Sequence, residues 1–236
     1  MVIAEVFSLI IISVLSIISL SGLGKMINTS LSKNFFNNFF YGFIIVAFLV
    51  TIIHFFVKIN IYISLIIFLT GLLLNFKNLI LSKIKINKDY ITYFIIIMIF
   101  VPMYISQKYH EDFGYYHLPY ALLLIKEKII FGIANSNAAY VYNSLWLNIY
   151  PSFFLWDNNF DYLTLPSFIL YIIFIFFLIN EILIESDWKL SKLFAIISVF
   201  YFILKFTRIS EYGVDIPSAI YSNIAILYFI KFFKSQ

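Results

Sequence analysis

The run FFYGFIIVAFLVTIIHFFV, Phe39 to Val57, decides the class of the fold. It contains no Asp, Glu, Lys or Arg. As an α-helix rising about 1.5 Å per residue, it nearly matches the roughly 30 Å hydrocarbon core of a bilayer. Its residues are apolar on every side, whereas a transmembrane β-strand alternates apolar with polar residues. The run therefore predicts a membrane-spanning helix.

Similar runs recur along the 236 residues, of which 63% are hydrophobic and only 12% charged. Soluble domains carry about 25% charged residues, so this composition indicates an integral membrane protein. We predict one all-α domain over residues 1–236, a polytopic transmembrane helix bundle of about seven spans with interfacial helices in a long extracytoplasmic loop. The predicted spans are Val2 to Leu20, Phe39 to Val57, Ile59 to Leu74, Ile91 to Ile105, Leu163 to Ile179, Leu190 to Leu204 and Ile216 to Ile230.

Several classes of protein are excluded by what the chain lacks. There is no cysteine, which rules out disulfides and thiolate metal sites. The lysines and arginines form no clustered basic face, so we expect no nucleic-acid partner. The first span lacks the basic start and small-residue exit of a cleaved signal peptide, and we expect it to be retained.

The placement of lysines predicts the orientation. Basic residues follow the first, third and seventh spans: Lys25 and Lys33, then Lys77, Lys83, Lys85 and Lys88, then Lys231 and Lys234. Cytoplasmic loops are enriched in Lys and Arg, so these three stretches are assigned to the cytoplasm. The loop after the fifth span, with Glu181 and Glu185, is the exception. The outer loop 106–162 and the loop 208–217 then share the extracytoplasmic face.

Two helices are predicted to lie in the membrane interface within the outer loop. The first runs from Pro119 to Phe131, because Pro is favoured at a helix start and Gly132 at a helix end. The second runs from a cap at Ser136 or Asn137 to Tyr150, where Pro151 ends it. Nearby aromatic residues are of the types that favour the membrane–water boundary, namely Tyr140, Tyr142, Trp146, Tyr150 and Trp156.

The same loop opens with the densest polar cluster of the chain, His110, Glu111, Asp112 and His117. A carboxylate just beyond a span, such as Asp112, can accept a proton from a hydroxyl or ligate a divalent cation. Glu111 and Asp112 can equally be solvated loop acids. His117 either hydrogen-bonds a phosphate near the start of the Pro119 helix or is an ordinary interfacial histidine.

Other polar residues also allow two interpretations. Asp215 either faces the acid of the first loop across a cleft or caps the seventh span ahead of Pro217. Lys126 and Lys128 either hold a lipid phosphate or form a solvated helix face. His54 is an ionisable group within a predicted span, and intramembrane ionisable groups are functional candidates. It lies close to Lys58 and therefore to water, so we assign it no role.

The order of these features resembles the C-type (GT-C) glycosyltransferases. The residues that carry the resemblance are Asp112-Phe113-Gly114-Tyr115-Tyr116-His117-Leu118-Pro119, Asn143-Ser144-Leu145-Trp146 and Asp215-Ile216-Pro217. They are similar to an uncharacterised bacterial branch related to the mannosyltransferase-like members. The resemblance covers residues 91–236, so residues 1–90 would be added N-terminal spans, and the chain would be the whole enzyme or its N-terminal part.

The resemblance implies a membrane enzyme that transfers a sugar, with inversion, from a polyprenyl-phosphate donor to an envelope glycan or lipid acceptor. It makes Asp112 and Asp215 the catalytic acids, and also the ligands of a divalent metal if one is used. Glu111, His117, Lys126 and Lys128 would bind substrate. It places the protein in the bacterial inner membrane, among membrane lipids. The alternatives are a transporter or flippase of a lipid-linked saccharide, and a non-catalytic membrane fragment.

Overall fold

A computed structural model of the chain describes residues 2–27, 34–81, 88–106, 113–141, 144–154, 160–184, 189–209 and 212–234. Ten α-helices lie in these ranges, with short 3-10 turns between some of them, and the described ranges hold no β-strand. The helices are α1 Val2–Gly24, α2 Phe35–Phe56, α3 Ile61–Leu81, α4 Lys88–Ser106, α5 His117–Lys126, α6 Tyr150–Phe154, α7 Phe160–Leu163, α8 Leu165–Ile184, α9 Leu190–Leu204 and α10 Asp215–Lys234. The predicted all-α class is confirmed.

Within the described ranges, four helices are long and apolar enough to cross a membrane, and they cover Ala4–Gly24, Phe35–Phe56, Leu165–Ile184 and Asp215–Phe233. Ile61–Phe76 and Leu190–Leu204 are apolar but shorter. Each of the seven predicted spans overlaps a helix of the structure. Membrane association therefore follows from the four long helices, while a count of seven crossings stays a prediction.

Helix α1 packs closely against α2 and α3 because small residues line the contact. A Cβ added at Gly22 would lie 1.9 Å from the carbonyl oxygen of Gly71, so the two helix backbones nearly touch. The Ser19 hydroxyl of α1 donates a hydrogen bond of 2.7 Å to the carbonyl of Phe68 in α3. Small residues and interhelical hydrogen bonds are the usual means by which helices associate in lipid, where apolar burial gives no driving force.

Described segments between α4 and α8 and between α9 and α10 lie together at one end of the bundle, which we call the loop end. There, His54 near the end of α2 bonds to the carbonyl of Glu127, and Ser8 near the start of α1 bonds to Tyr162 at 2.7 Å. The ring of Phe113, ahead of α5, contacts the ring of Tyr212, ahead of α10. The two segments that carry the predicted acids are therefore neighbours in space.

Lys25 and Lys231 lie at the opposite end of the bundle, which we call the lysine end. Lys25, just after α1, donates a hydrogen bond of 2.5 Å to the side-chain oxygen of Asn75 in α3. Burial lowers the pKa of Lys25. Lys231 of α10 forms an ion pair with Glu181 of α8 at this same end. The alternation of helix directions thus separates these lysines from the predicted site.

The prediction that Glu181 belongs to a loop is wrong. Helix α8 continues to Ile184, and the side chain of Glu181 is buried, with 5% of the residue exposed. A carboxylate in such a place needs a partner of opposite charge, and Lys231 supplies it. The sequence shows Glu181 and Lys231 as the ends of two separate apolar runs, so only the packing of α8 on α10 reveals the pair.

The first predicted interfacial helix is shorter than expected, and the second is not an α-helix in its described residues. Helix α5 ends at Lys126, and Gly132 is not its stop: with φ +76° it precedes a 3-10 turn, Ile133–Asn135. The range predicted as the second helix holds further 3-10 turns, Ala138–Val141 and Leu147–Ile149. Pro151 does not end a helix but lies in the first turn of α6, where its missing N–H costs no hydrogen bond.

Candidate functional site

Some residues of the predicted site lie within the described ranges, and others lie outside these ranges. Asp112 and Glu111, with His110, lie outside the described residues. Phe113, which follows Asp112 in sequence, is buried, and its ring centroid lies 6.2 Å from that of Tyr212 in an edge-to-face arrangement. Asp215, only three residues after Tyr212, is described.

Asp215 is the first residue of α10, so the helix begins one residue earlier than a cap at Asp215 would require, and the amide of Ser218 donates to the carbonyl of Val214 at 2.9 Å. Its side chain is 75% exposed, and one carboxylate oxygen lies 3.7 Å from a guanidinium nitrogen of Arg208. An exposed ion pair of this kind contributes little to stability, about 1 kcal/mol or less. Placement at a helix start is favourable for an acid. The carboxylate is therefore open to a ligand without being essential to the fold.

His117 is the first residue of α5 and is half-buried. Its ring centroid lies 5.6 Å from that of Tyr212 and 4.1 Å from that of Tyr116. Tyr212 thus has ring contacts with both Phe113 and His117 of the first loop. Tyr212 is therefore one of the points at which the second loop meets the first.

Lys126 and Lys128 are both exposed at the end of α5. The backbone between them is anchored, because the Nε2–H of His54 donates a hydrogen bond of 2.9 Å to the carbonyl of Glu127. The amide of Ile129 in turn donates to the carbonyl of His54 at 3.0 Å. The pair of lysines is therefore held at the edge of the loop end.

The expectation that His54 meets water is wrong, since its side chain is fully buried. Its Nδ1 lies 3.4 Å from the side-chain oxygen assigned to Asn148, whose amide nitrogen lies 3.1 Å from the Thr51 hydroxyl. His54 therefore joins α2 to the loop residues as a structural anchor.

Sequence reasoning missed Tyr150, which it assigned to the membrane–water boundary. Tyr150 is completely buried, and its hydroxyl lies 2.9 Å from Nε1 of Trp146, 2.7 Å from the Ser167 hydroxyl and 3.0 Å from the carbonyl oxygen of Gly213. The amide of Gly213 also donates to it at 3.2 Å. One phenol thus joins the first loop, α8 and the second loop. Trp146 is buried as well; Tyr142 and Trp156 lie outside the described residues.

We expect the Tyr150→Phe variant to be clearly less stable than wild type. The substitution keeps the ring but leaves the Trp146 and Gly213 N–H groups without their acceptor, and each buried unpaired group costs about 1–3 kcal/mol. Thermal unfolding in detergent measures the loss. Tyr115→Phe makes the same chemical change on a side chain that is 82% exposed, and it should unfold as wild type does. Equal unfolding temperatures for the two variants would contradict this role of Tyr150.

Tyr212 also lies at the centre of the loop end, but its hydrogen bonding differs. The residue is 2% exposed, and no described residue gives its hydroxyl a hydrogen-bond partner. Burial raises the pKa of Tyr212 well above its usual value, and the nearby Tyr150 and Tyr120 raise it further. The phenol is therefore protonated at neutral pH and can donate a hydrogen bond. A buried polar group without a partner is rare and calls for an explanation.

No group of three or more His, Asp or Glu side chains suited to a metal ion occurs in the described ranges. Asp112 lies outside these ranges, so a divalent metal held by Asp112 and Asp215 stays a prediction.

Comparison with known proteins adds one finding. A family model described as a domain of unknown function (DUF8201) matches residues 6–236. No curated protein matches the chain, and no solved structure does.

Proposed function

We propose that this chain, which belongs to the DUF8201 family of domains of unknown function, is a GT-C-type membrane glycosyltransferase. It would transfer a sugar from a polyprenyl-phosphate donor to an envelope glycan or lipid acceptor. The observation that carries the proposal is the contact of Tyr212 with Phe113 and His117. This contact brings together the two chain segments in which the resemblance places the catalytic acids.

The reaction needs one proton acceptor and one leaving group. Asp112 accepts the proton of the acceptor hydroxyl as its oxygen attacks the anomeric carbon of the sugar. The bond between that carbon and the phosphate oxygen breaks, and polyprenyl phosphate leaves with the electron pair. Attack from the opposite side inverts the anomeric configuration. A divalent cation, where one is used, would take carboxylate oxygens from Asp112 and Asp215.

The remaining site residues have supporting roles in this proposal. Glu111 contacts substrate beside Asp112. His117, at the N-terminus of α5, suits a phosphate, because the free N–H groups of a helix start attract anions. Lys126 and Lys128 are exposed at the edge of the loop end, within reach of the headgroup region from which a lipid phosphate arrives. Their charge favours the anionic donor.

The proposed orientation places the loop end outside the cytoplasm of a bacterial inner membrane. Lys25 and Lys231 lie at the opposite end of the bundle, and cytoplasmic ends are the ones enriched in lysine. The donor's lipid tail can then lie beside the helices while its phosphate and sugar reach the loop end.

The test is a transfer assay with polyprenyl-phosphate mannose radiolabelled in the sugar. Membranes that contain the full chain are mixed with the donor and an envelope extract as the source of acceptors. We expect label to move into products no longer bound to polyprenyl phosphate, above the level of membranes without the chain. A flippase would instead carry the intact donor across sealed vesicles without breaking its sugar–phosphate bond. Label that stays in the donor would contradict the enzyme proposal.

A further inference from the structure

We infer that the Tyr212 hydroxyl is a ligand contact, which donates a hydrogen bond to an oxygen of a sugar ring bound at the loop end. This inference rests on the proposed function and deepens it, since it names the residue that recognises the sugar. It is carried by a buried hydroxyl that has no hydrogen-bond partner in the part of the chain that the structure describes.

The first step of the argument is a comparison of two neighbouring tyrosines. The rings of Tyr212 and Tyr150 lie 4.3 Å apart and share one buried environment. The Tyr150 hydroxyl has bonds to Trp146, Ser167 and Gly213, whereas the Tyr212 hydroxyl has none. A phenylalanine would fill the Tyr212 position with the same ring and without an unpaired polar group. The hydroxyl therefore adds nothing to the packing, and a ligand gives it a use.

The second step concerns the kind of ligand. The ring neighbours of Tyr212 are Phe113, His117 and Tyr150, and aromatic rings suit the apolar C–H face of a sugar. A protonated phenol donates one hydrogen bond, which matches a ring hydroxyl or ring oxygen. The phosphate is assigned to neighbouring His117 and the free N–H groups at the start of α5, which leaves the Tyr212 hydroxyl for the sugar that the phosphate carries. The sugar is therefore the group assigned to Tyr212.

The third step is access. Because Tyr212 is 2% exposed, a ligand must displace one of its ring neighbours to reach the hydroxyl. His117 and Tyr150 belong to α-helices, while Phe113 lies on the turn ahead of α5. Movement of that turn is the route that disturbs the helices least.

The test uses the purified full chain in detergent and the Tyr212→Phe variant. The probes are polyprenyl-phosphate mannose and sugar-free polyprenyl phosphate. We expect the variant to bind the sugar-bearing lipid with a Kd raised roughly threefold to tenfold, the effect of losing one neutral hydrogen bond. The Kd of sugar-free polyprenyl phosphate should not change. Without ligand, the unfolding temperature should equal or exceed that of wild type, because an unpaired buried group has been removed.

Tyr115→Phe is the matched control and should alter neither Kd nor unfolding. A fall in the unfolding temperature of Tyr212→Phe similar to that of Tyr150→Phe would overturn the inference, since the hydroxyl would then stabilise the free protein. An unchanged Kd for the sugar-bearing lipid would overturn it too, and so would an equal weakening of both lipids. If wild type transfers sugar while Tyr212→Phe binds normally, only this inference fails. If wild type neither binds nor transfers, the proposed function fails with it.

Discussion

Sugar transfer by the Asp112→Asn variant is expected to fall about 100-fold to 10,000-fold, the range over which a positioned general base contributes to a rate. Asparagine has nearly the same shape but cannot accept the proton of the acceptor hydroxyl. The labelled-mannose assay measures the loss, with initial rates normalised to the amount of folded protein. Binding of the donor should change far less than the rate, because the acid acts on the acceptor.

Two further substitutions separate chemistry from folding. Glu5→Gln removes a carboxylate from the first turn of α1 to which the proposal gives no role, and it should transfer sugar at the wild-type rate. Asp215→Asn should fold normally, because its exposed pair with Arg208 adds little stability, so any loss of transfer reports on the site. A folded Asp112→Asn variant that keeps wild-type turnover would remove Asp112 from the mechanism.

The Gly71→Ala variant is expected to be strongly destabilised, although alanine favours a helix over glycine by about 1 kcal/mol. The added Cβ would lie 2.3 Å from the carbonyl oxygen of Ser19 and 2.4 Å from its hydroxyl oxygen. Both atoms belong to α1, so that helix and α3 must move apart and the hydrogen bond from Ser19 to Phe68 is strained. Overpacking of this kind typically costs about 1–3 kcal/mol, and a backbone contact is at the upper end.

The measurement is thermal unfolding in detergent, together with the yield of monodisperse protein. Gly114→Ala is the matched control, because a Cβ at Gly114 would meet no atom within 4 Å. It should behave as wild type does. Gly22→Ala should resemble Gly71→Ala, since its Cβ would lie 1.9 Å from the Gly71 carbonyl oxygen. A Gly71→Ala protein as stable as Gly114→Ala would show that α1 and α3 do not pack as described.

Only those features of the candidate site that depend on neighbouring residues in the sequence could be predicted. Proline is favoured in the first turn of a helix. Pro119 therefore predicts that His117 lies near a helix start, and Pro217 predicts that Asp215 lies at the start of α10. The burial of Tyr150 and Tyr212 could not be predicted from the local sequence. A tyrosine beside apolar residues has the same local pattern whether its ring lies at a membrane surface or inside a junction of loops.

The extent of the helices was predictable for a similar reason, with informative exceptions. Long apolar runs must form helices in a bilayer, because no water is available to bond a free backbone. Between residues 127 and 150 that constraint is absent, and the predicted interfacial helix is replaced by 3-10 turns, the last of which is joined to α2 by the contacts of Asn148 with His54 and Thr51. Short segments of mixed polarity take the shape that their neighbours impose.

By itself, the sequence determined that this protein is a bundle of apolar helices, since hydrophobic length and the absence of charge depend on nothing but the order of residues. Only the tertiary structure decided which polar groups meet. Glu181 forms an ion pair with Lys231, and His54 donates a hydrogen bond to the carbonyl of Glu127. The Tyr150 hydroxyl is hydrogen-bonded, whereas the Tyr212 hydroxyl has no partner among the described residues. The physical reason is that these pairings join residues far apart in the chain, and their distances are set by how the helices pack.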